Sequence, residues 1–402
     1  MNYQTLRALE RLGHRVSMVV APGGGAGGDG GGSLRGLARR HLTPGGRERL
    51  RTLSWRLRGQ IRPGATSEAF LAHARQRAAH AEETLAAIER EHGRVDCLAV
   101  TVSSVPAYGL RQAWPIVYFS DITARIANTS YEAFAGRGGA YHRASEQVER
   151  ESLARMFRAA FASEASLRSA IADHGLDPAR GVLAPMGPNV GVPDDAPEAM
   201  LREIEAPTPP TRACVRMLVV AADPVRKRLD LCVEAVERLR ARGIGAELTS
   251  IGGTTPRFRA AMARWPGVFH SLGMLRLGDE RDAARQREAM LTSHLMLLAS
   301  TGEAYGIAPV EMAHFGRPSI VSDAGGLTTV VRNGETGIVL PVGALGRTWA
   351  DEIERLVDDP ERYRTLARGA LERARRELNW DAWTATIGRM IEEAVRTPIP
   401  HA

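Results

Sequence analysis

The chain is poor in several things, and each shortage narrows its class. Of 402 residues only three are cysteines, Cys97, Cys214 and Cys232. They are odd in number and far apart, which fits neither a disulfide framework nor a zinc site, and a reducing compartment is the simplest expectation. Aromatic residues make up 5%. A basic face without interleaved aromatics is a poor single-strand platform, so nucleic acid is not expected as a partner. No run of 18 apolar residues occurs, so no membrane-spanning helix is expected. The opening Met1-Asn2-Tyr3-Gln4-Thr5 lacks a basic stretch followed by an apolar one, so no secretory leader is expected and the location reads as cytoplasmic. Lysine is nearly absent too: Lys227 is the only one among 53 basic residues, and the rest are arginines.

What is present is enough for two domains. Hydrophobic residues reach 44% and charged residues 25%, ordinary values for a soluble protein with two cores. The net charge is +7, with the excess near the front. Between Ser33 and Gly64 stand Arg35, Arg39, Arg40, Arg47, Arg49, Arg51, Arg56, Arg58 and Arg62 against one acid, Glu48. This 33–64 segment reads either as a solvated basic face or as peripheral contact with the anionic inner face of a membrane, where each basic residue contributes about 1 kcal/mol.

Along the chain, strand and helix patterns alternate. Residues 4–13 read as a helix and Arg15–Val20 as a buried strand, so the chain begins as if inside a β-α-β unit whose first strand is missing. Gly23–Ser33, with eight glycines, reads as a loop, and Arg35–Ile61 as a basic helix. Ser67–His92 reads as a long helix, Asp96–Val102 and Pro115–Phe119 as strands, and Glu146–Phe157 as a helix. From Pro193 to Pro210 the sequence is acidic and proline-rich, which reads as a linker. A second series follows, with strands at Met217–Ala221, Ala246–Ile251, Val268–Leu272, His294–Leu298, Pro318–Val321 and Gly337–Leu340. The expected organisation is an α/β chain of two doubly wound Rossmann-like domains. An N-terminal domain at 1–190 lacks its first strand, a linker spans 191–212, a second domain spans 213–380, and a closing helix at 381–402 crosses back. Such sheets bind ligands beyond their strand C-termini, and a cleft between the domains is the expected site.

The segment Ser300-Thr301-Gly302-Glu303-Ala304-Tyr305-Gly306-Ile307-Ala308-Pro309-Val310-Glu311 follows an apolar strand and runs into a helix. Pro309 suits the first helical turn, where its missing N–H costs nothing. The N–H groups of Gly306, Ile307 and Ala308 are then open at the positive end of a helix, a natural phosphate seat. Glu311, on the helix, is placed to accept two hydroxyl hydrogen bonds, as a ribose offers. Glu303, in the loop, reaches a group beyond the phosphates. The plainer reading is that both acids simply favour a helix N-terminus.

Glu303, seven residues, then Glu311 resembles the E-x7-E signature of glycosyltransferase family 4. Phe315-Gly316-Arg317-Pro318-Ser319-Ile320-Val321-Ser322, Gly325-Gly326, Asn333-Gly334-Glu335-Thr336-Gly337, Leu272-Gly273 and the Arg226-Lys227-Arg228-Leu229-Asp230 loop resemble further motifs of that family, in order, over roughly residues 215–345. The resemblance implies a GT-B fold and a retaining, metal-independent transferase. It would move a hexosyl group from a UDP- or GDP-linked nucleotide-diphospho-sugar to an acceptor hydroxyl in polysaccharide or glycoconjugate biosynthesis. It implies no cofactor beyond that co-substrate, and an acceptor that is a saccharide, a lipid-linked sugar or a small metabolite. The absence of a D-x-D agrees with the lack of a metal site. By the same resemblance Lys227 contacts the diphosphate, the amides of Gly306, Ile307 and Ala308 donate to donor oxygens, Glu311 holds ribose and Glu303 the sugar.

Two departures stand out. Ala221 and Ala222 occupy the place of a usual arginine, so Arg226 or Arg228 is expected to take its part at the donor. Ser120-Asp121 stands where the family often has histidine. Asp121 then either makes a catalytic sugar or acceptor contact or merely caps the following segment. The competing functions are a catalytically inactive partner or binding protein of the same fold, and another GT-B enzyme such as a sugar-nucleotide epimerase.

Overall fold

The computed structural model describes residues 67–111, 113–276 and 278–397. The expected helices at 4–13 and 35–61, the strand at 15–20, the glycine loop at 23–33 and the basic 33–64 segment lie outside the described residues. The described chain forms two compact units. The first holds the residues up to Phe161, Leu167–Val182 and those from Thr384 on; the second holds Ala162–Ser166 and Leu183–Trp383.

The first unit opens with α1 (Ser67–His92). Its buried residues Phe70, Ala74, Ala78, Ala81, Leu85 and Ile88 fall three and four apart, one helical stripe. Strands β1 (Leu98–Thr101) and β2 (Ile116–Ser120) follow, then helices α2 (Ala124–Ser130), α3 (Glu132–Ala135) and α4 (Gly139–Leu153), then β3 (Arg158–Phe161), α5 (Glu164–Ala172) and β4 (Gly181–Leu183). The sheet order is β1-β2-β3-β4, with β2 parallel to both β1 and β3. Tyr118 and Phe161 meet edge to face at 5.9 Å inside a core that also holds Leu85, Leu153 and Met156.

The second unit contains α6 (Glu198–Glu205), β5 (Val215–Ala221), α7 (Leu229–Ala241), β6 (Ala246–Gly252), α8 (Pro256–Arg264), β7 (Phe269–Gly273), α9 (Glu280–Thr292) and β8 (Leu295–Leu298). It continues with α10 (Ile307–His314), β9 (Ser319–Ser322), α11 (Leu327–Val330), β10 (Gly337–Leu340), α12 (Gly346–Asp358), α13 (Pro360–Arg376) and α14 (Trp380–Arg396), whose last residues belong to the first unit. The strand order is β10-β9-β8-β5-β6-β7, and the paired strands are parallel. Alternation explains the unbroken apolar run Met217–Ala221 within β5. Met217, Val219 and Ala221 join one core with Leu229, Val233, Trp349 and Ile353, while Leu218 joins another with Met290, Met312 and Phe315. Both faces of the sheet are covered along Met217–Ala221, so every position there is apolar, whereas Arg216 near the start of the strand is exposed.

Several helices differ from the sequence expectation, the short α2, α3 and α11 among them. The proline-rich stretch expected as a linker contains α6, anchored by buried Ile204 among Met200, Met290 and Phe315. Helices α8 and α9 were not expected. In α9 only Gln286, Ala289 and Met290 are buried, so its apolar stripe is too narrow to register as a period. Among the described residues no helix is long and apolar enough to cross a membrane.

Candidate functional site

In the second unit the chain leaves β5 toward β6 and β7 on one side, and later fills β8, β9 and β10 on the other. The order therefore reverses between β5 and β8, and the loops that follow these two strands leave the sheet at their C-terminal ends. In an open parallel sheet this is where a crevice forms without any further design. The turn at 223–228 follows β5 and the loop at 299–306 follows β8.

The first turn is built by its own backbone. Lys227 N–H donates to Asp223 O (3.1 Å), Arg228 N–H to Val225 O (3.0 Å) and Leu229 N–H to Pro224 O (2.9 Å). Asp223 Oδ1 accepts the Arg226 amide at 3.1 Å, the Asx-type bond that favours aspartate in turns. Arg228 takes a left-handed conformation, φ 48°, as the residue preceding α7. The two loops are tied together: Thr301 N–H donates to Arg226 O (3.0 Å), and Arg226 Nη1 donates to Gly302 O (2.5 Å) and to Glu303 Oε2 (3.1 Å).

Glu303 is the hub of this cluster. Besides Arg226 it accepts Ser300 Oγ at 3.2 Å, and Lys227 Nζ lies 3.8 Å from the same carboxylate oxygen. The Lys227 side chain is only 12% exposed. Burial holds its ammonium below the usual lysine range; Glu303 opposes this, Arg226 reinforces it, and Glu311 and Asp223 oppose it more weakly. An anion arriving here relieves that strain on the charged form. Arg228 points its guanidinium to Val342 O at 2.5 Å. Ala221 is fully buried in the core, so it offers nothing to a ligand.

Helix α10 starts at Ile307, preceded by Gly306 at φ 108°. A β-carbon on Gly306 would sit 2.7 Å from Leu327 Cδ2, so this close entry into the helix requires glycine. Pro309 is the third helical residue. Among the described residues no acceptor is bonded to the N–H groups of Gly306, Ile307 or Ala308. Behind them the turn after β9 presses onto the loop: Gly326 N–H donates to Glu303 O at 2.8 Å, and a β-carbon at Gly326 would lie 2.3 Å from Ala304 O.

Glu311 lies on α10 and is 2% exposed. The sequence reading gave its carboxylate two hydroxyls of a ligand. In the structure its partners come from the chain: Oε1 accepts the amides of Asn189 and Val190, each at 3.1 Å, and Oε2 accepts Gln286 Nε2 at 2.8 Å. Burial raises the carboxyl to about 7; the two amides, Lys227 and Gln286 pull it down.

Lys227, Arg226, Arg228, Glu303, Gly306, Ile307, Ala308 and Glu311 all fall in the second unit, and Asp121 falls in the first. Asp121 follows β2 and is half-buried. The following helix is capped by Thr123, whose Oγ1 accepts Ile126 N–H at 3.3 Å, so the capping role weighed for Asp121 belongs to Thr123. The sequence reading did not pick out Asp223, Ser300 or Gln286. Asp223 had a signal, an acid followed three residues later by the loop cation; Gln286 had none.

Residues 215–359 match the family model described as "Glycosyl transferases group 1". A D-inositol 3-phosphate glycosyltransferase of Thermobispora bispora is 34% identical over 101 residues, covering 25% of this chain and 23% of that protein. One of Rhodococcus erythropolis is 29% identical over 213 residues, covering 53% of this chain and 41% of that protein. The chain thus spans between about a quarter and two fifths of these relatives' lengths. Among solved structures, a glycosyltransferase from Rickettsia africae superposes with a TM-score of 0.64 at 12% identity, covering 98% of this chain and 95% of that one. Sucrose-phosphate synthase from Thermosynechococcus elongatus gives 0.61 at 18% identity, covering 86% and 83%. Anabaena HepE in complex with UDP-glucose gives 0.55 at 15% identity, covering 90% and 89%. The fold is α/β, with parallel sheets in two Rossmann-like domains, and matches that of GT-B glycosyltransferases.

Proposed function

We propose that this chain is a glycosyltransferase that moves a hexosyl group from a UDP- or GDP-linked nucleotide-diphospho-sugar to an acceptor hydroxyl, with retention and without a metal ion. One observation carries the reading. At the β5/β8 switch point a largely enclosed lysine, Lys227, stands in the same loop cluster as three amides, those of Gly306, Ile307 and Ala308, that have no acceptor among the described residues. Fixed donors of both kinds suit a diphosphate. The family match over 215–359 and the relatives' names support the same class of reaction.

In this reading the bond between the anomeric carbon and the diphosphate oxygen breaks, and negative charge grows on the departing phosphate. Lys227 and the α10 amides lie where that charge develops, and preorganised donors of this type are worth about 3 kcal/mol each. Glu303 faces the sugar, held in orientation by Arg226 and Ser300. The acceptor oxygen bonds to the anomeric carbon, and its proton passes to the departing phosphate. Asp121 is assigned to the acceptor side. The acceptor is a glycan, a glycolipid or a small metabolite, with peripheral membrane contact through residues 33–64 part of the same proposal.

The test is a panel of UDP- and GDP-sugars with a range of acceptors, reading release of free nucleoside diphosphate, with the product's anomeric configuration read by NMR. The expected result is acceptor-dependent release that Lys227→Ala lowers by about 10²- to 10³-fold. No release from any donor, or release unaffected by that substitution, would remove the reading.

A further inference from the structure

Helix α2 follows the exit of β2 and has little apolar surface to place it. Of its seven residues only Ala127 and Asn128 are buried. Burial of that size does not orient a helix, so polar bonds set its position. They come from α4. Glu149, 5% exposed, accepts the N–H of Ala124, the first residue of α2. One turn earlier on α4, Ser145 Oγ and Glu146 Oε1 accept Asn128 Nδ2 at 3.1 and 3.3 Å. The loop before α2 is held as closely. Thr123 Oγ1 accepts Ile126 N–H at 3.3 Å and donates its one proton to Ser169 Oγ at 2.7 Å, since Ser169 spends its own on Asp173 Oδ2 at 2.7 Å. Ser120 Oγ accepts Ile122 N–H at 3.3 Å and lies 2.8 Å from Ile122 O and 3.2 Å from Val102 O. The last contact reaches the exit of β1. There Ser103 N–H donates to Thr101 O at 2.7 Å, closing a three-residue turn around Val102 at φ 68°. A branched residue seldom sits in that region, and Val102 is nonetheless 39% exposed. Exits of neighbouring parallel strands are where such sheets meet ligands, and strained backbone gathers at such places.

We propose that Glu149 is a positioning residue: through the Ala124 amide it fixes the 120–124 loop, which carries Asp121, against the turn at Val102, so that the two exits present one preset surface to the acceptor. Glu149 acts through the chain, enclosed on α4. No apolar contact stands in for it, because α2 buries too little. The sheet itself fixes only the strands, β1 and β2 being paired from Leu98 with Ile116 to Thr101 with Phe119. Beyond Phe119 the chain depends on side chains, and a shift of α2 moves Asp121 relative to Val102. The consequence for the acceptor rests on the glycosyl-transfer reading; the hold on the loop does not.

Hydrogen exchange on the full chain, read by mass spectrometry over the peptide spanning 119–130, tests the hold without substrate. The wild-type peptide is expected to be protected. Glu149→Ala should speed its exchange by about tenfold or more, the effect of losing a buried acceptor, while peptides of α1 and β3 keep their rates and report an intact fold. Glu149→Gln keeps an oxygen for the Ala124 amide and should keep most of the protection. Should Glu149→Ala not fold, Glu149→Met fills a similar volume without a strong acceptor and takes its place in each comparison. Kinetics with the best donor and acceptor then separate positioning from general damage. Glu149→Ala should lower kcat/KM for the acceptor by about tenfold or more, as misplacing a contact does, and leave the donor KM unchanged; Glu149→Gln should restore the acceptor value. Equal exchange in wild type and Glu149→Ala, or exchange in Glu149→Gln as fast as in Glu149→Ala, overturns the proposal. A loosened loop with an unchanged acceptor kcat/KM, or with a donor KM that worsens in step, also overturns it. A wild type that shows the exchange pattern but turns over no donor supports the hold on the loop and counts against glycosyl transfer alone.

Discussion

Lys227 is unusual less for its charge than for where that charge is kept. A lysine 12% exposed with one carboxylate oxygen 3.8 Å away is incompletely compensated, which favours an anionic ligand over a further ion pair. Replacing it by alanine should lower kcat by about 10²- to 10³-fold, the range for losing one preorganised donor. Lys227→Arg should recover little, since a planar fork does not fit a seat built for a point charge; steady-state kinetics of both variants check this. Glu149 gives a second prediction. It is 5% exposed and accepts the amide of Ala124, the first residue of α2. Burial pushes its carboxyl up to about 8, with the Ala124 amide opposing and Glu146 adding to the rise. His174 Nε2 lies 3.8 Å away, but burial holds that imidazole below its usual range, so near neutral pH the two meet uncharged rather than as an ion pair. The folded value lies above the ordinary 4.5. The stability this gives is complete below that pH and is lost as the pH rises toward about 8. The melting temperature of the wild type should therefore fall over this window more steeply than that of Glu149→Gln; parallel profiles would contradict the assignment.

At the level of elements, the site depends on how tightly three turns stack at the C-terminal end of the central strands. Gly306 combines φ 108° with a Leu327 contact that leaves no room for a β-carbon, so Gly306→Ala should cost about 1–3 kcal/mol and displace the amides that follow. Gly326 has an ordinary φ of −77°, but a β-carbon there would meet Ala304 O, a backbone atom that cannot swing aside. Gly326→Ala is expected to be at least as damaging; thermal melts together with nucleotide titration measure both, and a Gly326→Ala protein with unchanged melting would refute the packing argument. Much of this stacking was legible beforehand, because glycine, proline and glutamate have distinct backbone and charge demands at a helix start. The partners of Glu311 were not. Asn189 and Val190 contribute only backbone amides, which any residue carries, and Gln286 sits on α9, whose surface is too polar to show a period.

For the whole molecule, strand–helix alternation was enough to give two Rossmann-like domains, because parallel strands covered on both faces must read as continuous apolar runs. Strand order was not readable from the pattern, and it is the order, reversing between β5 and β8, that locates the site. Binding there stabilises only the folded state, so UDP or GDP at about 100 times its Kd should add about 2.7 kcal/mol, seen as a raised melting temperature. The most direct measurement is a calorimetric titration of UDP and GDP into the wild-type chain and into Lys227→Ala. Saturable binding of one nucleotide to the wild type, weakened about tenfold or more by the substitution, is the expected result; equal binding by the two proteins, or none by the wild type at millimolar nucleotide, would contradict a diphosphate seat between Lys227 and the start of α10.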